Sequence, residues 1–484
     1  MDTVNPRLEL SDRDKAVTMI GILTALLLAA LDQSIVTPAM PTIGGDLGDP
    51  QYLPWIVTSY LLTATAVAPL YGKISDIHGR RPTIYAALGL FLLGSVAAAL
   101  SPNLYVLIAA RAVQGLGGGG LFALSQILIG DMLPPRERGR YAAWISGMWA
   151  VAAIAGPLLG GTLAEWHWSL IFWLNLPLGI VAMLVINEPL KKLHVATRAH
   201  RLDYLGALLL VGATALLLLL LNWGGTAFAW TSPQIIGLAV LSLVLWIGFG
   251  IRLMRAAEPL VSLEVLSNRI VLAGCFAMFM VAGANVGLAV YLPVYAQAHL
   301  GLSPAGSGYA LLGFLLGTTA GAAFSGRLTM RVEHVKRLAI VGALVSAASL
   351  AVLGFIAGQT SVIVLEIVLI VAGIGLGATF PVMTVSVQNG VDQMHLGVAT
   401  GMLTFLRSLG SALGVAVLAA IALGLGVPLG AEMGNAQVAH VADPFPFAVL
   451  DYTMAAMMLA AATIMVLMPH KSLRTTIHAA PAGD

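Results

Sequence analysis

The chain has 484 residues, of which 59% are hydrophobic and only 10% are charged. A soluble globular protein carries charge on about a quarter of its residues. This composition therefore excludes a chain that covers itself with a solvated surface, and it indicates a protein that lies in a lipid bilayer. The formal net charge of +2 would be compatible with a nucleic-acid partner, but the positions of the basic residues point to membrane topology instead.

Fourteen apolar segments are long enough to cross a bilayer as helices. A crossing helix needs about 20 mostly apolar residues, and in lipid each segment must satisfy its own backbone hydrogen bonds. The first segment is longer than the core of a signal peptide, so we interpret it as a retained span. The predicted spans are 17–40, 51–72, 82–101, 104–130, 140–164, 168–187, 203–222, 234–254, 270–298, 304–326, 336–357, 361–388, 397–426 and 446–469.

The basic residues alternate with the spans. With the N-terminus inside, every Lys and Arg outside a span or at a span boundary falls on the cytoplasmic side, and only Arg111 and Arg407 lie deep within spans. The loops on the other side carry acidic residues instead: Asp46, Asp49, Glu165, Glu432 and Asp443. Cytoplasmic loops of membrane proteins are enriched in Lys and Arg. We therefore predict that both termini are cytoplasmic and that the chain has no nucleic-acid partner.

An internal repeat relates the two ends of the chain. The sequence 72–75 (GKIS) ends the second span, and 326–329 (GRLT) ends the tenth span 254 residues later. Gly156 and Gly160 fall on Gly410 and Gly414 at the same offset. Repeated halves are common in transporters. We predict an all-α polytopic membrane protein with six-helix bundles at 1–187 and 270–484, separated by a linker with two inserted spans at 188–269.

The stretch RAVQGLGGGGL, 111–121, contains the pattern G-x-G-x-x-G of a dinucleotide-binding turn between Gly115 and Gly120. That turn requires a strand before the glycines and a helix after them, whereas here both flanks belong to one apolar span. Arg111, Gly115 and Gly119 are four residues apart and share one helix face. The glycines would let a neighbouring helix approach closely, and that helix would shield the charge of Arg111 from lipid.

Asp32 is a lone acid within the first span, in the stretch LDQSIVTPAMP, 31–41. A carboxylate inside the membrane costs several kcal/mol unless it is paired, hydrated or protonated. Asp32 is therefore a candidate proton carrier. The alternative is a solvated residue near the outer end of the span.

Two further stretches combine glycines with a specific spacing. The loop YGKISDIHGRRP, 71–82, places Asp76, Arg80 and Arg81 in a tight turn, which would also fit a simple topogenic loop. The fifth span contains GMWAVAAIAGPLLGG, 147–161, in which Ala152, Gly156 and Gly160 form a smooth face. Pro157 leaves a backbone carbonyl without its helical partner and would bend the helix. Packing alone is the alternative interpretation of this span.

These motifs together resemble the major facilitator superfamily, and within it the fourteen-span drug:proton antiporters of the EmrB/QacA type. The loop 71–82 resembles the family's G-x-x-x-D-x-x-G-R-[RK] motif, and 111–117 resembles R-x-x-Q-G-x-G. The stretch 31–41 resembles L-D-x-[TS]-I-V-N-x-A-x-P, with Thr37 in place of the usual Asn and an additional Pro38. The stretches 166–180 and 397–417 also resemble that subfamily.

The resemblance implies roles for individual residues. Asp32 and Arg111 would couple transport to protons. A cytoplasmic gate would hold the two halves together in the outward-open state, and its residues would be Gly72, Asp76, Gly79, Arg80, Arg81 and Asp131. The antiporter signature, which is expected to prevent leak, would comprise Gly147, Gly156, Pro157, Gly160 and Gly161. The second copy of the loop has Met330 where the first has Asp76, so we assign it no full latch.

Five other polar residues in or near the spans could line a substrate cavity: Gln297, Glu366, Gln388, Asn389 and Arg407. For Arg407 the alternative is that it only satisfies backbone carbonyls inside a bundle. For Glu366 an end-of-span location is equally compatible with the sequence.

The resemblance implies a proton-driven exporter of lipophilic or cationic toxic compounds, multi-pass in the bacterial cytoplasmic membrane, without a cofactor or a metal ion. Its partners would be small molecules, protons, the bilayer and, in Gram-negative cells, a periplasmic adaptor that nothing in the chain demonstrates. A dedicated exporter of one metabolite, lipid, siderophore or antibiotic is the main alternative. A nutrient symporter is disfavoured by the signature in the fifth span. A membrane enzyme is disfavoured because the chain has no Walker lysine, no His/Cys metal cluster and no large cytoplasmic domain.

Overall fold

A computed structural model describes residues 11–48, 52–192, 202–225, 227–301, 304–358, 361–427 and 443–474, with the backbone alone at 139, 140, 142, 143, 298 and 304–309. This part of the chain is helical. Its fourteen long helices are α1 Asp12–Leu47, α2 Pro54–His78, α3 Arg80–Ala99, α4 Leu104–Met132, α5 Pro135–Trp166, α6 Asn175–Lys192, α7 Tyr204–Trp223, α8 Pro233–Arg255, α9 Arg269–Ala298, α10 Pro304–Thr329, α11 Val335–Ile356, α12 Val362–Gly390, α13 Leu396–Gly424 and α14 Phe445–Leu467. Short helices at Leu170–Trp173, Leu263–Ser267 and Gln393–His395 precede α6, α9 and α13.

The long helices follow the predicted spans closely. Thirteen helices in the described part of the chain are long and apolar enough to cross a membrane. Helix α2 is not among them, because Ser59, Thr63 and Thr65 interrupt its apolar residues. Helix α6 continues to Lys192, so the first five residues assigned to the linker, 188–192, are helical.

The same helix pairs pack in both halves of the chain. In the first half α1 packs on α5, and α4 packs on both α2 and α3. In the second half α9 packs on α13, and α12 packs on both α10 and α11. Two seams join the halves, one between α2 and α13 and the other between α5 and α10. Each helix of the first half corresponds to the helix eight places later in the second half, so α2 corresponds to α10 and α5 to α13. The internal repeat therefore relates one seam to the other.

The inserted helices α7 and α8 pack on each other and cover one seam. Helix α7 contacts both α2 and α13. Leu210 of α7 and Phe249 of α8 share an apolar cluster with Phe405 and Leu409 of α13. The Asp203 side chain accepts a hydrogen bond from the Gly206 N–H at the start of α7, and Arg252 lies 3.0 Å from the same carboxylate. The insertion is therefore a lateral addition to one seam, outside the two six-helix bundles.

Buried arginines mark one end of the bundle. Arg80 begins α3 and Arg138 lies in the first turn of α5, and both are almost fully buried. Arg474 follows α14, and its Nη2 donates a hydrogen bond to the Val391 carbonyl just after the end of α12. We call this the basic end, and the other end of the molecule the opposite end.

Candidate functional site

Asp32 and Arg111 form an ion pair inside the first six-helix bundle. Arg111 Nη1 lies 2.5 Å from Asp32 Oδ2, and both side chains are at most 1% exposed. Arg111 follows the first residue of α4 by seven positions, roughly 10 Å along the helix from the opposite end. The carboxylate from α1 and the guanidinium from α4 thus neutralise each other where neither could be hydrated.

Amide side chains complete the surroundings of the Asp32 carboxylate. Gln114 Nε2 donates to Asp32 Oδ1 at 2.7 Å, and Asn175 Nδ2 donates to the same oxygen at 2.8 Å. Ser95 Oγ links the two amides, because it accepts from both of them at 2.8 and 3.2 Å. The Asp32 carboxylate thus accepts hydrogen bonds from Arg111, Gln114 and Asn175. Four helices, α1, α3, α4 and α6, supply these groups.

The guanidinium of Arg111 has partners besides Asp32. Its Nη1 also donates to Gln114 Oε1 at 2.7 Å, and its Nε donates to the Ile56 carbonyl at 3.1 Å. The ring of Tyr60 lies 4.5 Å from its central carbon, a cation–π distance. Arg111 therefore has two hydrogen-bond acceptors and an aromatic ring as partners in addition to Asp32.

Glycines of α4 bring α2 and α3 against it, as the spacing of Arg111, Gly115 and Gly119 predicted. A methyl group on Gly115 would overlap the backbone of Tyr60, and one on Gly119 would overlap the backbone of Ala64. Gly117 faces α3 instead and lies against the Phe91 backbone. The pattern that matches a nucleotide fingerprint is therefore a helix-packing surface around a buried charge.

The glycine motif of α5 packs on the segment of α1 that follows Asp32. Gly156 lies against Ser34, and Gly160 lies against the carbonyl of Ile35. Ser34 Oγ donates to the Ala152 carbonyl at 2.8 Å across the same contact. Pro157 is exposed on the other face of α5, and a methyl group on Gly147 or Gly161 would meet no atom within 4 Å. Only part of the motif thus forms the tight contact.

Arg80 joins two carboxylates at the basic end. Its Nη1 lies 2.5 Å from Asp76 Oδ1 and its Nε lies 2.6 Å from Asp131 Oδ2. Gly79, with φ of 90°, allows the sharp turn from α2 into α3 that places Asp76 and Arg80 side by side. The three charged residues come from α2, α3 and α4, so the charged cluster belongs to a single half.

The contact between the halves at this end uses Asp76 from this cluster and several groups outside it. The Asp76 carboxylate lies against Gly397 in the first turn of α13, where helix N–H groups favour a negative charge. Arg138 Nη1 donates to Gln388 Oε1 at 2.9 Å, and Gln388 Nε2 donates to the Gln126 carbonyl at 3.2 Å. Arg136 Nε donates to the Met330 carbonyl at 2.9 Å. The basic end is therefore closed by hydrogen bonds between the bundles.

Three of the predicted site residues lie elsewhere than expected. Arg81 is exposed and donates to Asn187 Oδ1 at 2.9 Å within its own half, so it does not join the gate cluster. Gln388 belongs to the contact between the halves just described, and Asn389 accepts from the backbone N–H of Arg474 at 3.1 Å. Both side chains are at most 2% exposed and are packed against neighbouring groups in the described conformation, so their assignment to a substrate cavity stays a prediction. Polar residues near the end of α12 face the other bundle and the tail.

The remaining cavity candidates are partly exposed. Glu366 lies in the second turn of α12 against Gly313 of α10, which matches the end-of-span interpretation. Gln297 is partly buried at the end of α9. Arg407 places its guanidinium carbon 4.2 Å from the ring centre of Phe122, across the boundary between the halves. Arg407 is the one candidate of this group whose contact to the other half lies well inside the helices.

Sequence reasoning missed several partners of the ion pair. Gln114 and Asn175 stand in stretches that were singled out for other reasons, and Ser95 and Tyr60 were not considered. An amide within an apolar span was the available signal, because a polar group in lipid must find a partner. Arg138 was likewise counted only as a topogenic charge, although it is buried and hydrogen-bonded to both halves.

Two repeated helical bundles, two symmetric seams and a buried ion pair within one bundle define a multi-pass membrane transporter. The family model of the Major Facilitator Superfamily matches residues 22–415, and the chain belongs to this superfamily. It is 30% identical to Multidrug resistance protein 3 of Bacillus subtilis (strain 168) over 402 residues, which are 82% of this chain and 78% of that protein. It is 31% identical to the multidrug transporter protein MdtP of the same organism over 84% of this chain and 75% of that protein.

A solved structure shows the same fold. The human organic anion transporter MFSD10 superposes with a TM-score of 0.64 at 18% sequence identity, covering 93% of this chain and 99% of that one. At this identity the similarity concerns the fold alone. The fold predicted from the repeat and the spans is confirmed, whereas the fourteen-span drug:proton subfamily remains a prediction.

Proposed function

We propose that the protein is a proton-coupled antiporter that exports lipophilic or cationic toxic compounds across a bacterial cytoplasmic membrane, using the proton gradient and no cofactor. The observation that carries the proposal is the sealed pair of Asp32 and Arg111, 2.5 Å apart and surrounded by amide donors. The names of the two Bacillus subtilis relatives support drug compounds as substrates.

The pair supplies a mechanism for coupling. A proton that reaches Asp32 removes the charge that holds Arg111, and Arg111 then relies on Gln114, Ile56 and Tyr60. Asp32 and Arg111 come from α1 and α4, so this change alters the contact between two helices of the first bundle. An equilibrium between two bundle arrangements shifts only by the difference in free energy that a ligand makes between them. Proton binding supplies that difference here.

The packing of α5 on α1 links the pair to a seam between the halves. Ser34 and Ile35, which lie two and three residues after Asp32, contact Gly156 and Gly160 of α5. Helix α5 in turn packs on α10 of the other half. A movement of α1 on protonation of Asp32 therefore reaches the α5–α10 seam without an intervening loop.

The closed basic end fits one state of an alternating-access cycle. If this end faces the cytoplasm, as the basic residues predict, the described conformation is shut toward the cytoplasm by Arg138, Gln388 and Asp76. Export would require this end to open for substrate and to close before release. Rocking of two bundles around their seams accomplishes both steps.

Transport into proteoliposomes with an imposed pH gradient tests the proposal. We expect uphill accumulation of lipophilic cations and neutral drugs, driven by the gradient and abolished by a protonophore. Competition among chemically unrelated compounds would support a multidrug pump, and transport of a single compound would support the dedicated exporter. Accumulation that persists without any proton gradient would contradict proton coupling.

A further inference from the structure

Asp451 is the one acid of α14, and it lines a cavity in the second bundle. The cavity lies between α9, α11, α12 and α14 near the opposite end of the molecule. Its walls are otherwise apolar or aromatic and include Tyr291, Tyr295, Leu365 and Phe447. The pair of Asp32 and Arg111 lies in the other bundle, so this is a separate site.

Asp451 lacks the partners that Asp32 has. No hydrogen bond or ion pair joins its carboxyl group to another residue in the described part of the chain, whereas three donors surround the carboxylate of Asp32. An ionised carboxylate among apolar walls within a membrane span is costly unless it is paired or protonated. The neutral acid is therefore the form that this environment accommodates.

Among the residues that the structure describes, those lining the cavity around Asp451 supply no positive charge. From α9 they are Tyr291 and Tyr295, and the Tyr295 hydroxyl already donates to the Ala357 carbonyl at 2.6 Å. From α11 and α12 the facing side chains are Leu353, Ile356 and Leu365. His299 stacks on the Tyr295 ring, with 5.4 Å between the ring centres, and is not among the residues that line the cavity.

The volume of the cavity is sufficient for a water molecule. Its free volume is about 20 Å³, enough for water. A cavity that admits water and contains one unpaired acid suits the exchange of a proton with water.

We propose that Asp451 is a second proton-binding group, which carries a proton in the conformation described here and exchanges it with water in the cavity. Protonation of Asp451 follows from the cavity itself, while its part in transport rests on the proposed function. The two acids then differ in this state: Asp32 is paired with Arg111, and Asp451 is unpaired and neutral.

Infrared difference spectroscopy of the purified protein tests the proton directly. At neutral pH, wild type minus Asp451→Asn should show the carbonyl stretch of one protonated carboxylic acid, and this band should shift in heavy water. Asp203→Asn is the matched control, because Asp203 is equally an acid near a helix start but is paired with Arg252 at 3.0 Å. Wild type minus Asp203→Asn should show no such band.

A missing band in the Asp451 difference spectrum would overturn the proposal, and so would a band that heavy water leaves in place. Asp451→Glu keeps a carboxylic acid at this position, so the variant itself should retain the band of a protonated acid. It therefore distinguishes loss of the acid from loss of the fold. These outcomes do not depend on transport, so they separate this proposal from the proposed function. In transporting vesicles, Asp451→Asn should lower the number of protons moved per substrate, and an unchanged ratio would exclude Asp451 from coupling.

Discussion

Gly72 of α2 and Gly397 of α13 meet backbone to backbone at the basic end, and a methyl group on Gly72 would overlap the Gly397 carbonyl oxygen. The two residues belong to different halves, and the Asp76 carboxylate lies on the same glycine of α13. Closure of this end therefore depends on the absence of a side chain at Gly72 as much as on charge.

Gly72→Ala should open the basic end. Overpacking of a tight contact costs typically about 1–3 kcal/mol, and about 1.4 kcal/mol is a tenfold change in an equilibrium. Spin labels at His78 and Met394, which are both exposed and lie one in each half, would report the distance between the halves. The single cysteine of the chain, Cys275, would first be replaced by serine so that only these two positions are labelled. We expect the distance to lengthen and broaden in Gly72→Ala. Gly89→Ala on α3, where a methyl group meets nothing within 4 Å, should leave the distribution unchanged.

The glycines of the α5 motif should differ in their tolerance to alanine. Gly156→Ala places a methyl group on Ser34 of α1 and should lower thermal stability by about 1–3 kcal/mol and impair transport. Gly161→Ala meets no atom within 4 Å and should be neutral or slightly stabilising. Thermal unfolding in detergent and transport in vesicles would measure both variants. An equal loss of stability and transport in Gly156→Ala and Gly161→Ala would contradict the idea that the motif acts through its contact with α1.

The two arginines of the loop 71–82 should also differ. Arg80→Ala leaves Asp76 and Asp131 without their shared cation, and loss of one partner from a buried pair costs about 3–5 kcal/mol. Arg81→Ala removes an exposed hydrogen bond to Asn187 and should cost less than about 1 kcal/mol. Melting temperatures of the two variants in one detergent provide the comparison. Similar melting temperatures would contradict the finding that Arg80, and not Arg81, pairs with Asp76 and Asp131.

The sequence was sufficient for the helices, the repeat and the central charges, for identifiable physical reasons. Span length and the alternation of basic loops follow from the thickness and polarity of the bilayer. Asp32 and Arg111 stood out because a charge in lipid needs a partner, and the structure places them together. The spacing of Gly115 and Gly119 was enough to predict close packing, since helical periodicity fixes which residues share a face.

The rotation of each helix about its axis could not be predicted in the same way. Gln388 and Asn389 are adjacent, yet one binds Arg138 of the other half and the other binds the tail at Arg474. Nothing in the local sequence distinguishes these directions from a cavity. The same uncertainty hid Asn175, whose amide reaches Asp32 only because α6 packs against α1.

The central claim is that protonation of Asp32 drives uphill transport, and substrate accumulation by Asp32→Asn in proteoliposomes with an imposed pH gradient tests it most directly. Asn keeps the size of the side chain and removes the charge opposite Arg111, and Asp203→Asn serves as the paired control away from the site. We expect Asp32→Asn to abolish accumulation while binding of substrate persists, and Asp203→Asn to transport normally. Accumulation by Asp32→Asn to the level of wild type would contradict the account.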